Sequence, residues 1–182
     1  FRKHEAYCVT IPKNQPEAQK VIEEFREVFE DENIMKIGQN IKFDMLVMAA
    51  HGVEVAGVHF DTMVANYVLR PDGTHNMDSL AAEHLRYRTI TFDDLTGTGR
   101  NRKDIRDIEP ERVAEYAAED ADVTFQLAAR LRCLLDKSGQ GKILHAIEGP
   151  LLPVLVRMEM EGVAIDSAAL ATIGDELQSR QE

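Results

Sequence analysis

The feature that most constrains this chain is the stretch 110–135, which reads as one long amphipathic helix. Pro110 suits its first turn, where a missing N–H costs nothing. At 100° per residue, Tyr116, Asp120, Val123, Leu127, Leu131 and Leu134 fall on one narrow stripe. Such a helix must be covered along that stripe by a second layer. The stripe also carries a carboxylate inward, and burying an isolated charge is strongly unfavourable. Two answers stay open for Asp120: a structural pairing with a basic side chain or backbone amides, or a cation held for chemistry. Glu119 and Asp122 point elsewhere and read as solvated charges.

The preceding residues alternate between strand-like and helix-like segments. Residues 4–11 alternate and stop at Pro12, which predicts a strand. Residues 16–29 place Ala18, Val21, Ile22, Phe25, Val28 and Phe29 at helical spacing. A short buried strand is expected over 34–37, then a helix over 41–51 capped by Asn40 and closed by Gly52. Residues 55–60 suit another strand, and Asp61 suits the cap of a helix reaching Leu69. Pro71-Asp72-Gly73 is a turn, 78–85 a helix, and the run around Gly97 and Gly99 a loop.

Strands alternating with helices predict α/β architecture over residues 1–138. Ser138-Gly139-Gln140-Gly141 interrupts the pattern, and the domain boundary is placed there. Residues 139–182 read as a short helical segment. Its first helix, over 143–160, is interrupted near Gly149-Pro150 and Pro153 and ends at Gly162; Asp166 caps a second.

Composition narrows the class. Hydrophobic residues make up 44%, which excludes a disordered chain. Apolar runs are too short for a membrane span, and no export signal opens the sequence. Cys8 and Cys133 lack metal-type spacing and read as reduced thiols, so a cytoplasmic location is expected. Lys and Arg total 21 against 32 Asp and Glu, a net charge of −11. That balance opposes general nucleic-acid binding, because phosphate contacts rest on basic side chains. Cations held by carboxylates, or a neighbouring domain, would reverse it locally.

A second inward carboxylate lies in Gly38-Gln39-Asn40-Ile41-Lys42-Phe43-Asp44. Asn40 and Asp44 stack four residues apart at a helix start, on the side of Ile41, Met48 and His51. Taken singly, this is a capping Asn followed by a favourably placed early acid. Taken with Tyr116-x-x-x-Asp120, it brings two carboxylates and a phenol to the inward faces of separate elements. Magnesium prefers oxygen ligands, and two-metal phosphodiester cleavage needs several converging carboxylates. A phenol with a pKa near 10 stays protonated, so Tyr116 orients water rather than serving as the base.

These motifs resemble the proofreading 3′→5′ exonuclease domain of bacterial DNA polymerase I, a family-A polymerase. Residues 36–44 look like its second exonuclease motif, and residues 116–124 like its third. Phe60-Asp61-Thr62-Met63, His75-Asn76-Met77-Asp78-Ser79-Leu80-Ala81 and Thr89-Ile90-Thr91-Phe92 fall in the same order between them. Pro150-Leu151-Leu152-Pro153-Val154-Leu155, Arg157-Met158-Glu159 and Gly162-Val163-Ala164-Ile165-Asp166 are similar to the entry into the polymerase domain.

The resemblance implies a ribonuclease-H-like mixed sheet flanked by helices, with four carboxylates and a Tyr holding two Mg2+ ions, Mn2+ or Zn2+ being substitutes. It makes Asp120 a direct ligand of the first metal and Asp44 a ligand of the second through water, with Tyr116 aiming the attacking water. Gln39, Asn40 and Phe43 would contact the substrate strand. Phe92 would stack on the frayed end, worth about 1–3 kcal/mol per base; the other reading of Phe92 is a plain core aromatic. The implied partners are the single-stranded 3′ end of DNA and a covalently attached polymerase domain.

Two departures stand out. The family's Asp-x-Glu motif and its opening strand are expected upstream of Phe1; Glu5 lacks the paired Asp. Residues 1–182 are therefore expected to bind magnesium weakly, to be nearly inactive, and to self-associate through an exposed sheet edge. Thr74 stands where the family often carries an Arg. Two other functions remain: a ribonuclease-D-like exonuclease on RNA, and a catalytically dead spacer that positions a polymerase.

Overall fold

The computed structural model describes residues 2–180. In chain order it contains α1 (Gln15–Glu24), α2 (Arg26–Glu30), β1 (Lys36–Gly38), α3 (Ile41–Ala50), β2 (Val58–Asp61) and α4 (Thr62–Leu69). Then come α5 (Met77–Leu80), α6 (Phe92–Thr96), α7 (Pro110–Ser138), α8 (Gly141–Ile143), α9 (Gly149–Glu161) and α10 (Ser167–Ser179). The architecture is α/β, as expected. Among the described residues no helix is long and apolar enough to cross a membrane.

Helix α7 is the spine. Its 29 residues bury Val123, Leu127, Ala128, Leu131 and Leu135 against Phe60 of β2, Ala65 and Val68 of α4, Leu80, Ala81 and Leu144. Leu134 is only partly buried, because the stripe drifts towards Leu135 over so many turns. Gly139 closes the helix at φ 73°, a left-handed value that suits glycine.

The sheet of the described residues is a parallel pair, with Ile37 opposite Phe60 and Gly38 opposite Asp61. Helix α3 connects its two strands. The strand expected over 4–11 is not formed. Tyr7, Val9 and Ile11 are exposed there, since alternation yields a strand only where a ladder partner receives it. The single helix expected over 16–29 divides at Phe25 into α1 and α2. At the break, Arg26 donates to Glu23, Glu30 and the carbonyl of Gly52.

The start of α3 also departs from expectation. Asn40 adopts a left-handed conformation, φ 58°, and its side chain makes no capping bond. Asp61 caps α3 instead, and it caps α4 as well. Its carboxylate accepts the N–H of Asn40 (3.2 Å), Ile41 (2.8 Å), Met63 (2.8 Å) and Val64 (3.2 Å). A single buried carboxylate thus ties together two helix N-termini, where negative charge is favoured. Burial pushes this carboxyl above its usual pKa, and the four N–H donors oppose that rise.

Helix α9 packs directly on α3. Leu152 and Val156 share a core cluster with Ile41, Met45 and Val55, and Lys42 pairs with Glu159. Helix α10, capped by Asp166, buries none of its residues.

Candidate active site

Where β1 runs into α3, the chain forms one wall of a pocket of about 420 Å³. Ile37, Gly38, Gln39 and Asp44 line that wall, with Met77 of α5 and Asp120, Ala121 and Thr124 of α7 facing them. Gly38 is required there: a Cβ at this position would come within 2.7 Å of the Ile41 side chain. The close turn lets β1 pass straight into α3 and places Asp44 one turn into the helix. Asp44 and Asp120 therefore open onto one space, from elements far apart in the sequence.

Asp120 is half-buried, and its Oδ1 has no hydrogen-bond partner. Burial pushes the carboxyl up to about 6; the Tyr116 hydroxyl, which donates to it, holds the value down, while the charges of Glu119 and Asp78 raise it. No Lys or Arg forms an ion pair with Asp120 among the described residues. The structural-pair explanation therefore has no support at this position. Tyr116 is pushed up to about 12 by burial, then by the charge and hydrogen bond of Asp120. Its phenol keeps its proton across the ordinary pH range.

Asp44 stands exposed at the pocket mouth. Its carboxyl is raised, first because protein displaces water from one side and then through the negative charge of Asp61. Gln39 lines the pocket, yet its amide is engaged in the scaffold. Nε2 donates to the His75 carbonyl at 2.8 Å, and Oε1 accepts from the Thr62 hydroxyl. Asn40 spends its N–H on Asp61, and Phe43 is 62% exposed on the outer surface of α3.

Phe92, 43% exposed, is no core aromatic. Its ring meets that of Tyr116 edge-on, 6.3 Å between centroids, and the Arg102 guanidinium lies 5.1 Å from its centre.

Glu119 and Asp122 are not free solvated charges. Glu119 accepts from the Tyr87 hydroxyl at 2.6 Å and the Ile90 N–H at 2.7 Å, anchoring the segment before α6 to α7. Asp122 accepts from the His4 N–H at 2.8 Å and from Gln126. Asp78, which the sequence places in the 75–81 motif without a role of its own, also acts on the site. Its charge reaches both Tyr116 and Asp120, while its Oδ1 accepts from the Thr89 hydroxyl at 2.6 Å. Its place in the 75–81 motif was the available sequence signal.

The donor chemistry suits a hard divalent cation: carboxylate oxygens, one of them buried and unpartnered. The set is small, however. Among the described residues no group of three or more His, Cys, Asp or Glu is placed to hold a metal.

A family model described as 3′-5′ exonuclease matches residues 1–136. DNA polymerase I of Rhizobium leguminosarum is 35% identical over 168 residues, covering 92% of this chain and 16% of that protein. The Pseudomonas aeruginosa DNA polymerase I is 38% identical over 165 residues, covering 88% and 18%. The Treponema pallidum one is 41% identical over 148 residues, covering 80% and 14%. The chain thus spans less than a fifth of the length of these relatives.

Among solved structures, the POL domain of Pol1 from M. smegmatis, in complex with DNA primer-template and dNTP, superposes with a TM-score of 0.71. It is 21% identical, and the match covers 94% of this chain and 26% of that one. NrnC of Brucella melitensis bound to pGG gives 0.62 at 23% identity, covering 86% and 69%. At these identities the likeness is one of fold.

Proposed function

The chain belongs to the 3′→5′ exonuclease family represented in bacterial DNA polymerase I, and from that premise we propose that it is the proofreading module of such a polymerase. Its α/β fold is ribonuclease-H-like. In the proposed reaction, water attacks the 3′-terminal phosphodiester of single-stranded DNA and releases a nucleoside monophosphate. The observation that carries this reading is the meeting of Asp44 and Asp120 in one pocket, with an unpartnered oxygen on Asp120.

Asp120 directly, and Asp44 through water, would hold the divalent cations, magnesium first and manganese or zinc as substitutes. When bound, such ions supply Lewis-acid stabilisation of the charge that develops at phosphorus. The residues of the chain do the positioning. Tyr116 donates its phenolic hydrogen to Asp120, and the buried Oδ1 of that carboxylate is left without a hydrogen-bond partner. Because the Tyr116 phenol stays protonated, it orients the attacking water and takes no proton from it. The exposed face of Phe92 offers a stacking surface for the terminal base, which suits an enzyme indifferent to base identity. Gln39 and Asn40 hold the pocket wall in register, with the Phe43 ring free beside them for the substrate strand.

With two carboxylates facing the pocket, residues 1–182 alone are expected to hold metal weakly and to cut slowly. We place the polymerase connection in residues 139–182, after an exonuclease unit of residues 1–138. β1 has β2 as its one partner among the described residues, so we also propose self-association along its other edge.

The deciding experiment uses 3′-mismatched DNA and magnesium, with the chain in a polypeptide that also supplies an Asp-x-Glu pair. Mononucleotide release that collapses on Asp44→Ala or Asp120→Ala is the expected result. A folded but inert protein would favour the spacer. A preference for RNA would favour the ribonuclease-D-like reading, with which the NrnC likeness is compatible at the level of fold.

A further inference from the structure

Resting on that nuclease reading, we propose that the 99–106 loop and the neighbouring residues 86–88 form the track along which the phosphate backbone of single-stranded DNA leaves the pocket. Charge is the first ground. Residues 86–106 contain six basic side chains, Arg86, Arg88, Arg100, Arg102, Lys103 and Arg106, against three acidic ones, Asp93, Asp94 and Asp104. That local excess sits on a chain whose net charge is −11. Acids border the strip, Asp94, Asp107 and Glu109 beside Lys103 and Glu115 and Glu119 beside Arg88, so phosphates would follow its exposed cations, Arg86, Arg88, Arg100 and Lys103.

Geometry is the second ground. The loop is pinned to the end of α6, where the Lys103 N–H donates to the Thr96 carbonyl at 2.8 Å and Arg102 Nε to the Thr96 hydroxyl at 3.3 Å. Arg88 lies six residues before Asp94 and Lys13 far upstream of Asp104, and their charges act on Asp94 and Asp104 respectively. Arg102 therefore lies against α6, with the Lys103 backbone beside it, while Arg88 and Lys13 act on the acids of the same stretch. Asp93 engages Arg102 and Asp104 engages Arg106. Arg100 and Lys103 are exposed and form no ion pair among the described residues.

Continuity with the pocket is the third. Asp120 accepts from Tyr116, the Tyr116 ring meets Phe92 at 6.3 Å, and Phe92 lies 5.1 Å beneath Arg102. An aromatic step beside the pocket thus gives way to a row of cations. Stacking faces followed by positive charge are what a single strand requires. An acidic polypeptide would match the charge and leave the aromatic step unused, so nucleic acid is the occupant.

The test is fluorescence anisotropy in EDTA, so that nothing is cut, with a dinucleotide and an oligothymidylate of about twelve nucleotides, within the usual site size. Arg100→Gln with Lys103→Gln should weaken binding of the longer strand about three- to tenfold. It should also lower the log–log salt slope by about 1.4, two contacts at roughly 0.7 each. Dinucleotide affinity should be unchanged, the charge-preserving pair Arg100→Lys with Lys103→Arg should bind as the parent does, and Lys137→Gln with Lys142→Gln should change nothing. An unaltered affinity and slope in the Gln pair would overturn the track while leaving the nuclease reading intact. So would a polyglutamate peptide that competes as well as unlabelled oligothymidylate. A parent protein that binds neither ligand would overturn the track as well, the nuclease reading being decided by the mismatch assay in magnesium.

Discussion

The Tyr116 hydroxyl donates to the Asp120 carboxylate, one turn away on α7, and this bond is what keeps a half-buried acid from rising still further in pKa. Burial has already lifted Asp120 from 3.8 to about 6. In the metal-free protein the folded state therefore binds its proton more tightly than the unfolded chain does. Between about pH 4 and pH 6 the folded state holds the extra proton, so stability falls as pH rises. Asp44 and Asp61 are raised too and act with the same sign. The loss assignable to Asp120 is on the order of 2 kcal/mol after allowance for its solvent contact. Urea unfolding in EDTA on either side of that window measures it. Asp120→Asn should flatten the curve and raise stability at neutral pH by about 1–2 kcal/mol, while abolishing nuclease activity. A variant less stable than the parent at neutral pH would show that the Asp120 carboxylate is satisfied after all.

Asp61 is the joint between the two strands and the two helices that follow them. Its carboxylate receives four backbone N–H groups, two at the start of α3 and two at the start of α4. Asp61→Ala deletes two caps at once and leaves buried donors unmatched, at a cost of roughly 2–4 kcal/mol. Asp61→Asn keeps one acceptor oxygen and should cost less. Because α3 carries Asp44, nuclease activity should drop with Asp61→Ala even at temperatures where the protein remains folded. Thermal melts paired with activity at low temperature separate the two effects.

The joint illustrates which parts of this structure could be read from sequence. The stripe on α7, the cap at Asp61 and the break at Gly139 are local patterns, and they were legible. So was the inward aim of Asp120, because its neighbours at helical spacing, Tyr116, Val123 and Leu127, fix its face without reference to anything distant. The capping of α3 was not legible. Asp61 reaches back across 20 residues to Ile41, and the nearer candidate, Asn40, took a left-handed conformation instead. Glu119 misled for the same reason, since its partners Tyr87 and Ile90 arrive from a segment that sequence spacing cannot place. Alternation over 4–11 suggested a strand that no neighbour receives. Position on one element is a local property; the partner across a gap is a tertiary one.

Phe92 offers a cleaner separation of function from stability. Its ring is 43% exposed, so Phe92→Ala removes little buried area and should shift the melting temperature only slightly. If the terminal base stacks there, the same change should weaken substrate binding by about 1–3 kcal/mol, irrespective of which base is terminal. Steady-state kinetics on the four homopolymeric ends would reveal this as a uniform rise in KM. A base-dependent effect would argue for hydrogen-bond recognition in place of stacking.

Leu152 tests how firmly the segment after residue 138 is bound to the site. It is 6% exposed on α9, where with Val156 it packs against Ile41 and Met45 of α3, the helix that bears Asp44. Removing a buried leucine's three carbons usually costs about 2–5 kcal/mol, part lost transfer energy and part cavity. Were α9 merely a lead into a separate unit, Leu152→Ala would leave the pocket untouched, because little of α3 would depend on it. The packing argues otherwise: Ile41 and Met45 lie on one face of α3 and flank Asp44 in sequence, so a cavity beneath them loosens the turn that aims the carboxylate. Leu152→Ala should therefore lower both unfolding free energy and nuclease activity. Val154→Ala, on the exposed side of the same helix, should change neither. Hydrogen exchange across 41–50 provides the decisive readout. Faster exchange there in Leu152→Ala, with 123–135 of α7 still protected, would locate the effect in α3 and exclude a general loosening of the fold.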